Sequence, residues 1–381
     1  MIRYRGLTWD HPRGAHALAA AAGRLDPARD GIAIDWDRQP LEGFESHPIA
    51  DLCARYDLVV LDHPHVGEAV ATGCLRPLEE LFLAEEIADW SARTIGPCLT
   101  SYRYAGAHWA LPLDAATQVM AVTPRVAAHP PGTWSDVVSL SATVPVALSV
   151  AGPHAILTFF SIATAFGEPP AGSDPDVLVS PPVGEASLDL MATLYDRMPP
   201  AARALNPIGL LRAMTTGDDI ALCPLVYGYV NYAASSAGGR SLAFGDAPRQ
   251  AERGCPGSTL GGTGIGISRS CEISPPLLDH LRWLMSADAQ VRFIPAHDGQ
   301  PSRREAWHDP EVNARWGNFY ANTAETLEHA YVRPRYDGYV GFQTDASQIV
   351  RFGLSERTPH PVILDRLQMA YARSRPAGAE R

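Results

Sequence analysis

In the first third of the chain, short apolar runs alternate with longer segments that mix apolar and polar positions. The runs at 2–9, 31–36 and 57–62 have the length and composition of strands, and the segments 12–25 and 40–56 between them are predicted helices. The run DLVVLD at 57–62 is almost wholly apolar, as expected of a strand that is covered on both faces. This alternation predicts a parallel sheet flanked by helices.

A second alternating unit begins near Trp134 and extends to the end of the chain. Its apolar runs predict strands at 144–150, 219–229 and 262–268. Amphipathic or proline-started segments predict its helices, at 133–142, 152–167, 185–198, 208–217, 275–294 and 313–332. We therefore expect two α/β lobes, with a boundary near 111–118.

Two of the predicted strands end in the same tripeptide, Asp-His-Pro. The first copy follows the first strand, and the second copy, which has a further histidine behind it, follows the third strand. Ligands of open parallel sheets bind beyond the carboxyl ends of the strands, and a proline starts a helix whose free N–H groups favour anions. If these strands are neighbours, two carboxylates and three imidazoles surround one cleft. They belong to Asp10, His11, Asp62, His63 and His65.

These residues have three interpretations. A histidine beside a carboxylate suits proton transfer near neutral pH, which makes Asp10, His11, Asp62 and His63 candidate catalytic residues. Alternatively, each aspartate caps the helix that follows it and the histidines lie on the surface. A metal site that adds His65 to these residues is the third alternative, but adjacent residues rarely point the same way and no zinc-type spacing accompanies them, so no metal is predicted.

Composition restricts the function further. The chain has 381 residues, enough for two domains, and a formal net charge of −11, which disfavours nucleic-acid and anionic-membrane partners. No apolar window of the sequence is long enough to span a bilayer. The first residues lack the pattern of a secretory signal, so we expect a cytoplasmic protein as the chain is written, and a periplasmic or extracellular one if a leader has been removed.

Neither the cysteines nor the glycine-rich segment indicates a cofactor. The six dispersed cysteines have neither metal-finger nor redox spacing, and free buried thiols are expected. Cys223 is the cysteine expected nearest the cleft, with a buried apolar role, and Cys255 is a weaker candidate. The segment GGTGIG at 261–266 departs from the dinucleotide fingerprint in its spacing and precedes its strand, so no nucleotide cofactor is predicted.

Six short motifs follow one another in an order that resembles the family 1 extracellular solute-binding proteins, the maltose-binding-like receptors of ABC importers. They are YDLVVLDHPHVGEAVATGCLRPLEELF, HWALPLDAATQVMAVTP, GTWSDVV, MTTGDDIALCPLVYGYVNYA, STLGGTGIGIS and HDGQPSRREAW. The similarity covers nearly the whole chain. It implies a type II periplasmic-binding-protein-like fold, in which two lobes, each a mostly parallel sheet flanked by helices, close about a hinge on a small molecule.

The resemblance also implies lobe boundaries and ligand contacts. Lobe 1 takes residues 1–115 and 256–305, and lobe 2 takes 116–255 and 306–381. The family's ligand contacts match the ends of the first and third strands, the hinge, the segment after the G-D-I-A strand and the double glycine. The matching residues are Trp9, Asp10, His11, Asp62, His63, His65, Asp114, Tyr227, Tyr229, Gly261 and Gly262.

Basic residues indicate the charge of the ligand. Arg13 lies in the first turn of the opening predicted helix, where a cation is unfavourable for the helix dipole, and it therefore favours a carboxylate-bearing ligand. The helix start after Gly152 and Pro153 is a second candidate anion site. Arg333 and Arg335 follow the end of a predicted helix, and their expected role is to cap it.

Two functions remain open on these observations. A receptor would bind a small polar organic molecule without turnover, and it would have an ABC permease as a partner only if an exported form exists. A cytoplasmic enzyme on the same scaffold, as thiaminase I is, would use the cleft Asp and His residues for acid–base chemistry on a small metabolite. We expect solute binding, which is common to both, without a cofactor.

Overall fold

The chain folds into alternating strands and helices, and the computed structural model describes residues 1–41, 43, 47–172, 174–234 and 239–375. The strands are β1 (Ile2–Trp9), β2 (Ile32–Gln39), β3 (Leu58–Leu61), β4 (Arg103–Tyr104), β5 (Ala107–His108), β6 (Leu111–Asp114), β7 (Gln118–Val122), β8 (Leu222–Tyr227), β9 (Ala243–Gly245) and β10 (Thr263–Ile267).

The α-helices cover both sheets. They are α1 (Pro12–Ala22), α2 (Pro27–Asp30), α3 (Ile49–Cys53), α4 (Val66–Thr72), α5 (Ala84–Arg93), α6 (Pro124–Ala127), α7 (Trp134–Leu140), α8 (His154–Ala165), α9 (Pro181–Arg197), α10 (Pro207–Thr216), α11 (Pro275–Leu284), α12 (Ile294–Ala296), α13 (Arg304–His308), α14 (Pro310–Arg315), α15 (Phe319–Glu328), α16 (Tyr339–Ser355) and α17 (His360–Ser374). A π-helical stretch, Asp288–Phe293, leads directly into α12.

The first sheet has five strands in the order β2-β1-β3-β10-β6. β1 pairs in parallel with both β2 and β3, as the alternation of the N-terminal segments predicts. Gly6 lies opposite Leu58 and Leu7 opposite Val59, so β1 and β3 end at the same edge of the sheet. The expectation that β1 and β3 are neighbours is therefore confirmed, and the two Asp-His-Pro segments leave the sheet at adjacent positions.

A late segment of the chain returns to this first sheet. β10 runs antiparallel to both β3 and β6 and lies between them. The strand at 263–267 therefore belongs to the same layer as the N-terminal strands. The lobe boundaries near residues 115, 255 and 305 stay predictions.

The second sheet, in the order β8-β7-β9, differs from the mostly parallel arrangement that we expected. β7 pairs antiparallel with both of its neighbours. It enters directly from the first sheet, since Asp114 ends β6 and Gln118 begins β7. β8 and β9 share the opposite direction, and the predicted strand 144–150 contributes one parallel bridge, from Val146 to Leu222. The incoming segment therefore runs against the strands that it joins.

Several predicted helices are shorter than expected or interrupted. The predicted helix 275–294 ends as α11 at Leu284, and helical structure resumes in the π-helical stretch Asp288–Phe293. The predicted helix 313–332 is divided into α14 and α15, because Gly317 and Asn318 adopt φ angles of 57° and 59°, a left-handed geometry that a right-handed helix does not accommodate. Of the predicted helix 40–56, Ile49–Cys53 forms α3, and residues 42 and 44–46 lie outside the described residues.

Segments that cross between the two sheets lie side by side. Thr117, between β6 and β7, forms an antiparallel bridge with Leu260. Gln300 is wholly buried, donates from Nε2 to the Ala115 carbonyl at 2.9 Å and accepts from the Val230 N–H at 2.8 Å. These contacts connect the crossing segments to one another where the chain passes between the sheets.

Each sheet has its own hydrophobic core. Tyr4, Leu18 and Ile265 belong to the core of the first sheet, and Phe159 and Tyr320 belong to the larger core of the second. Among the described residues, the helices are all too short or too polar to cross a lipid bilayer.

Candidate functional site

A small pocket lies between the two sheets, at the edge where β1 and β3 end. Its volume is about 60 Å³. It is lined by Trp9, Arg13, Leu41, Asp62, His154, Pro207, Tyr227, Tyr229, Gly261, Gly262 and Thr263. The structure therefore brings together the aromatic and glycine positions that the sequence predicts, together with Arg13 and Asp62.

Arg13, in the first turn of α1, is buried and engaged by its neighbours. Its Nε and Nη2 donate to the two carboxylate oxygens of Asp114 at 2.9 and 2.5 Å, and its Nη1 donates to the Gly228 carbonyl at 2.9 Å. Burial opposes its charge, but the Asp114 carboxylate keeps the pKa of Arg13 above its ordinary value. Asp114 already accepts the paired N–H donors that a ligand carboxylate would use. The prediction of a carboxylate-bearing ligand, which came from the position of Arg13 in the helix, is therefore not supported.

Asp62 follows β3 and pairs with a buried arginine from the C-terminal part of the chain. Arg333 Nη2 donates to Asp62 Oδ2 at 2.6 Å and to the Leu260 carbonyl at 3.1 Å, while Nη1 donates to Gln343 Oε1 at 2.9 Å. The other carboxylate oxygen of Asp62 accepts from the His63 N–H at 2.8 Å, as in a helix N-cap. Arg333 therefore binds the pocket residue Asp62, and the prediction that Arg333 caps a helix end is wrong.

The Arg333 pair also decides the charge of Asp62. Burial opposes ionisation of this carboxyl, but the guanidinium of Arg333 outweighs burial and lowers the pKa of Asp62 well below its ordinary range. Asp62 is consequently ionised near neutral pH. It offers an acceptor to a ligand and does not act as a proton donor under those conditions.

The two histidines of the Asp-His-Pro segments are both neutral near pH 7. His11 Nδ1 accepts from the Arg13 N–H at 3.2 Å, its ring lies edge-on to Tyr229 with centroids 4.7 Å apart, and burial followed by the charge of Arg13 lowers its pKa to about 3. His63 is wholly buried, and burial followed by the charge of Arg333 lowers its pKa to about 4. The lining of the pocket includes neither of these histidines.

Asp10 lies outside the pocket. Its side chain is 66% exposed, and its carboxylate lies 3.7 Å from Arg38. The Asp10 N–H still pairs with the Gln39 carbonyl of β2 at 2.8 Å, so residue 10 continues the alternation of β1 and its side chain points away from the side of buried Trp9. The expectation that both Asp-His pairs flank one cleft is therefore wrong for Asp10, and the catalytic role of the four Asp and His residues stays a prediction.

Two further cavities adjoin the pocket. One, of about 30 Å³, is bordered by His65 and shares Asp62 and Tyr227 with the pocket. The other, of about 510 Å³, lies against the N-terminal ends of α8 and α10 and one side of α16, and it shares His154 with the pocket. These two cavities also share Pro153 and Gln343 with each other, so all three spaces lie next to one another.

Sequence reasoning missed His154 as a pocket residue and the role of Arg333. His154 begins α8, its ring lies edge-on to Tyr227 with centroids 5.8 Å apart, and burial followed by the charge of Arg333 lowers its pKa to about 3. The helix start after Gly152 and Pro153 was the available signal, although the side chain there is a neutral imidazole. Arg333 had no local signal, because its partner Asp62 is 271 residues away in the sequence.

The site contains little that favours covalent or metal chemistry. Cys223 is wholly buried in β8, where burial raises the pKa of its thiol to about 12, and Cys255 is exposed. In the part of the chain that the structure describes, no group of three or more His, Cys, Asp or Glu side chains is arranged to hold a metal ion. Asp62 and His154 do not titrate near neutral pH, so the arrangement is suited to holding a polar solute by hydrogen bonds.

Two α/β layers joined by crossing segments, with a pocket between them, define the two-lobed type II periplasmic-binding-protein fold that the sequence resemblance implies. The model of the bacterial extracellular solute-binding protein family matches residues 50–319. The chain belongs to this family.

Solved structures support the same fold at low sequence identity. An ABC transporter solute-binding protein from Agrobacterium radiobacter K84 in complex with ribitol is 21% identical, with 98% of each chain covered and a TM-score of 0.80. Maltose-bound MalE3 of T. maritima is 15% identical, with 97% of this chain and 99% of the other covered and a TM-score of 0.80. A solute-binding protein from Agrobacterium vitis S4 with bound D-mannitol is 16% identical over 98% of each chain, with a TM-score of 0.75. No curated protein matches the chain significantly.

Proposed function

We propose that the protein binds a small neutral polyhydroxy solute, a sugar or a polyol, in the pocket between the two sheets. The observation that carries this proposal is that both charged side chains of the pocket lining have a protein partner of opposite charge: Arg13 pairs with Asp114 and Asp62 pairs with Arg333. A charged solute would have to compete with these pairs, whereas hydroxyl groups can use the remaining lone pairs and N–H groups.

The apolar part of the lining suits the same class of solute. Trp9, Tyr227 and Tyr229 bring aromatic rings to the pocket, and aromatic faces pack against the C–H faces of carbohydrates and polyols. A side chain at Gly261 would meet the ring of Tyr227, so this glycine allows the ring to approach the crossing segment. The ribitol, D-mannitol and maltose found in proteins of the same fold support the class of solute.

Binding requires the two sides of the pocket to separate. A cavity of about 60 Å³ holds only a few water molecules, which is less space than a polyol needs. Arg13 and Gly228, and likewise Asp62 and Arg333, connect elements on opposite sides of the pocket. We infer a closed arrangement in which these contacts hold the two sides together, and the adjoining chamber of about 510 Å³ gives room for part of a larger solute.

Titration calorimetry with ribitol, D-mannitol and maltose tests the solute class, with ribonate and glucosamine as charged counterparts. We expect saturable binding of at least one neutral compound and weaker binding of its charged counterpart. Tyr227→Ala should weaken that binding about tenfold or more, because it removes an aromatic wall. Tyr56→Ala is the matched control, since Tyr56 is also a half-buried tyrosine but lies away from the pocket. Preferential binding of the charged compounds would contradict the proposal.

We propose further that the protein serves as a receptor, outside the cytoplasm, for an ABC permease. Family membership supports this role. Fractionation of cells that express the native gene should recover the protein outside the cytoplasm, and recovery in the cytosol alone would argue against it. When the purified protein is incubated with the solute that it binds, NMR spectra should show the solute unchanged. Conversion of the solute would favour the enzyme alternative.

A further inference from the structure

A second pocket, of about 160 Å³, lies away from the solute pocket, on the outer side of the segment that contains Arg333. One wall contains Pro170, Ala171, Gly172 and Pro175, the second is the segment 331–336, and the third is the end of α17 with Tyr371 and Arg375. It shares Arg333 with the smallest cavity described above but has no residue in common with the solute pocket.

The walls of this pocket are held by hydrogen bonds from tyrosine hydroxyls. Tyr331 donates to the Pro170 carbonyl at 3.0 Å, and Tyr371 donates to the Pro175 carbonyl at 2.8 Å. Arg375 Nη1 also donates to the Pro175 carbonyl, at 2.7 Å. The loop residues, the segment 331–336 and the end of α17 are therefore connected around the cavity, and the site is built from three parts of the chain.

Three guanidinium groups border the pocket, and two of them have carboxylate partners. Arg333 pairs with Asp62, and Arg375 pairs with Asp176. Arg335 is half-buried and, among the described residues, has neither an ion pair nor a hydrogen bond; its Nε is fully buried without a partner. The pocket therefore carries one positive charge that the described part of the chain does not balance.

The surroundings make this charge costly. Burial lowers the pKa of Arg335 from its ordinary value, and the ionisable groups that interact with it include the hydroxyls of Tyr104 and Tyr331 and the neutral imidazole of His63. The carbonyl of Arg335 also packs directly against Gly67 in α4, which leaves no room for a side chain there. An arginine that is partly desolvated without a counter-charge is suited to binding an anion that enters from solvent.

We propose that this pocket binds a small oxyanion, a carboxylate or a phosphate, through the guanidinium of Arg335. The planar guanidinium presents paired N–H donors that match two oxygens of either group. A volume of about 160 Å³ accommodates a small organic acid or a phosphate ion. Three tyrosines, Tyr331, Tyr336 and Tyr371, line these walls, and their aromatic rings favour a carboxylate that carries a compact apolar group.

Titration of the purified full-length chain with sodium phosphate, acetate and benzoate, at constant ionic strength set with sodium chloride, tests the proposal. We expect saturable stabilisation by at least one of these anions beyond the effect of chloride. Tighter binding of benzoate or acetate identifies a carboxylate site, and tighter binding of phosphate identifies a phosphate site. The absence of saturation with all three anions would overturn the proposal.

Arg335→Gln should raise the dissociation constant of the bound anion about tenfold or more, because a charge-assisted pair of hydrogen bonds is lost. The melting temperature of the anion-free variant should equal or exceed that of the wild type, since a buried unpaired charge is removed. Arg253→Gln removes the same charge from an exposed position and should leave anion binding unchanged. Unchanged anion affinity in Arg335→Gln would refute the assignment, whereas polyol binding by the same variant tests the solute pocket separately.

Discussion

The two Asp-His-Pro segments have identical sequences and opposite surroundings. After β1, Asp10 is 66% exposed and 3.7 Å from Arg38. After β3, Asp62 is 19% exposed and 2.6 Å from Arg333, which is itself 3% exposed. Both strands are interior, so the difference arises from what lies beyond each strand end: Asp10 still pairs through its N–H with Gln39 of β2, whereas Asp62 meets Arg333 from the C-terminal part of the chain. A short motif therefore marks the edge of the sheet, and the surroundings of each strand end decide which copy faces the pocket.

The largest difference between the two copies is expected for their aspartates. Asp62→Asn leaves Arg333 as a buried charge without its partner, and we expect a loss of about 3–5 kcal/mol in the free energy of unfolding. Asp10→Asn should change it by less than about 0.5 kcal/mol, because its side chain is exposed. Urea denaturation of both variants measures the difference. Equal losses would mean that the Asp62–Arg333 pair is not formed in solution.

The next largest difference is expected for the glycines in the helices that follow the two motifs, Gly14 in α1 and Gly67 in α4. A side chain at Gly67 would collide with the carbonyl of Arg335, a backbone atom, whereas one at Gly14 would meet the ring of Trp9. We expect Gly67→Ala to destabilise the fold by about 1–3 kcal/mol or more, through overpacking that the backbone cannot relieve. Gly14→Ala should cost less stability and should weaken solute binding, because Trp9 must shift towards the pocket. Thermal unfolding and calorimetry check the two effects, and a greater stability loss in Gly14→Ala would contradict this ordering.

The histidines of both segments link stability to pH, because both have lowered pKa values. The pKa of His63 falls from its ordinary value of 6.5 to about 4, so the unfolded chain takes up this proton first on acidification. The stability that His63 contributes is complete above pH 6.5 and is lost as the pH falls towards 4. Between pH 7 and 5 this loss is about 2 kcal/mol.

His63→Leu should therefore reduce the acid-induced loss of stability by about that amount relative to the wild type. His11→Leu should reduce it by a comparable amount, because the pKa of His11 is also lowered, to about 3, and the exposed His129→Leu serves as the control. Urea denaturation at a series of pH values measures the slopes. The same slope in wild type and His63→Leu would show that this imidazole is not held neutral by burial.

The smallest change in the free energy of unfolding at neutral pH is expected when the N-cap residue of α1, His11, is replaced. His11 accepts from the Arg13 N–H as the N-cap of this helix, at 3.2 Å. His11→Ala should cost about 1 kcal/mol or less, as is usual for the loss of a cap. Thermal unfolding at pH 7 measures it. A loss as large as that of Asp62→Asn would assign His11 a role in the core of the pocket.

Much of the fold could be predicted, and so could a part of the site. The apolar run of β3 and the proline-started α8 and α10 are where their patterns place them, because a buried strand and a helix start are local properties. The interruption at Gly317 and Asn318 was missed, since the apolar spacing continues across it. Trp9, Tyr227 and Tyr229 line the pocket as the resemblance implies, whereas His154 was found only in the three-dimensional arrangement.

By itself, the sequence determined the alternation of strands and helices, the family and the sheet edge at which the pocket lies. These depend on local periodicity and on motifs that each stay within a few residues. Only the tertiary structure decided how the charges are paired. Asp62 meets Arg333, Arg13 meets Asp114, and Asp10 faces solvent. Arg335 has no carboxylate partner among the described residues. The reason is that the field at a buried side chain depends on neighbours from distant parts of the chain, which local pattern does not encode.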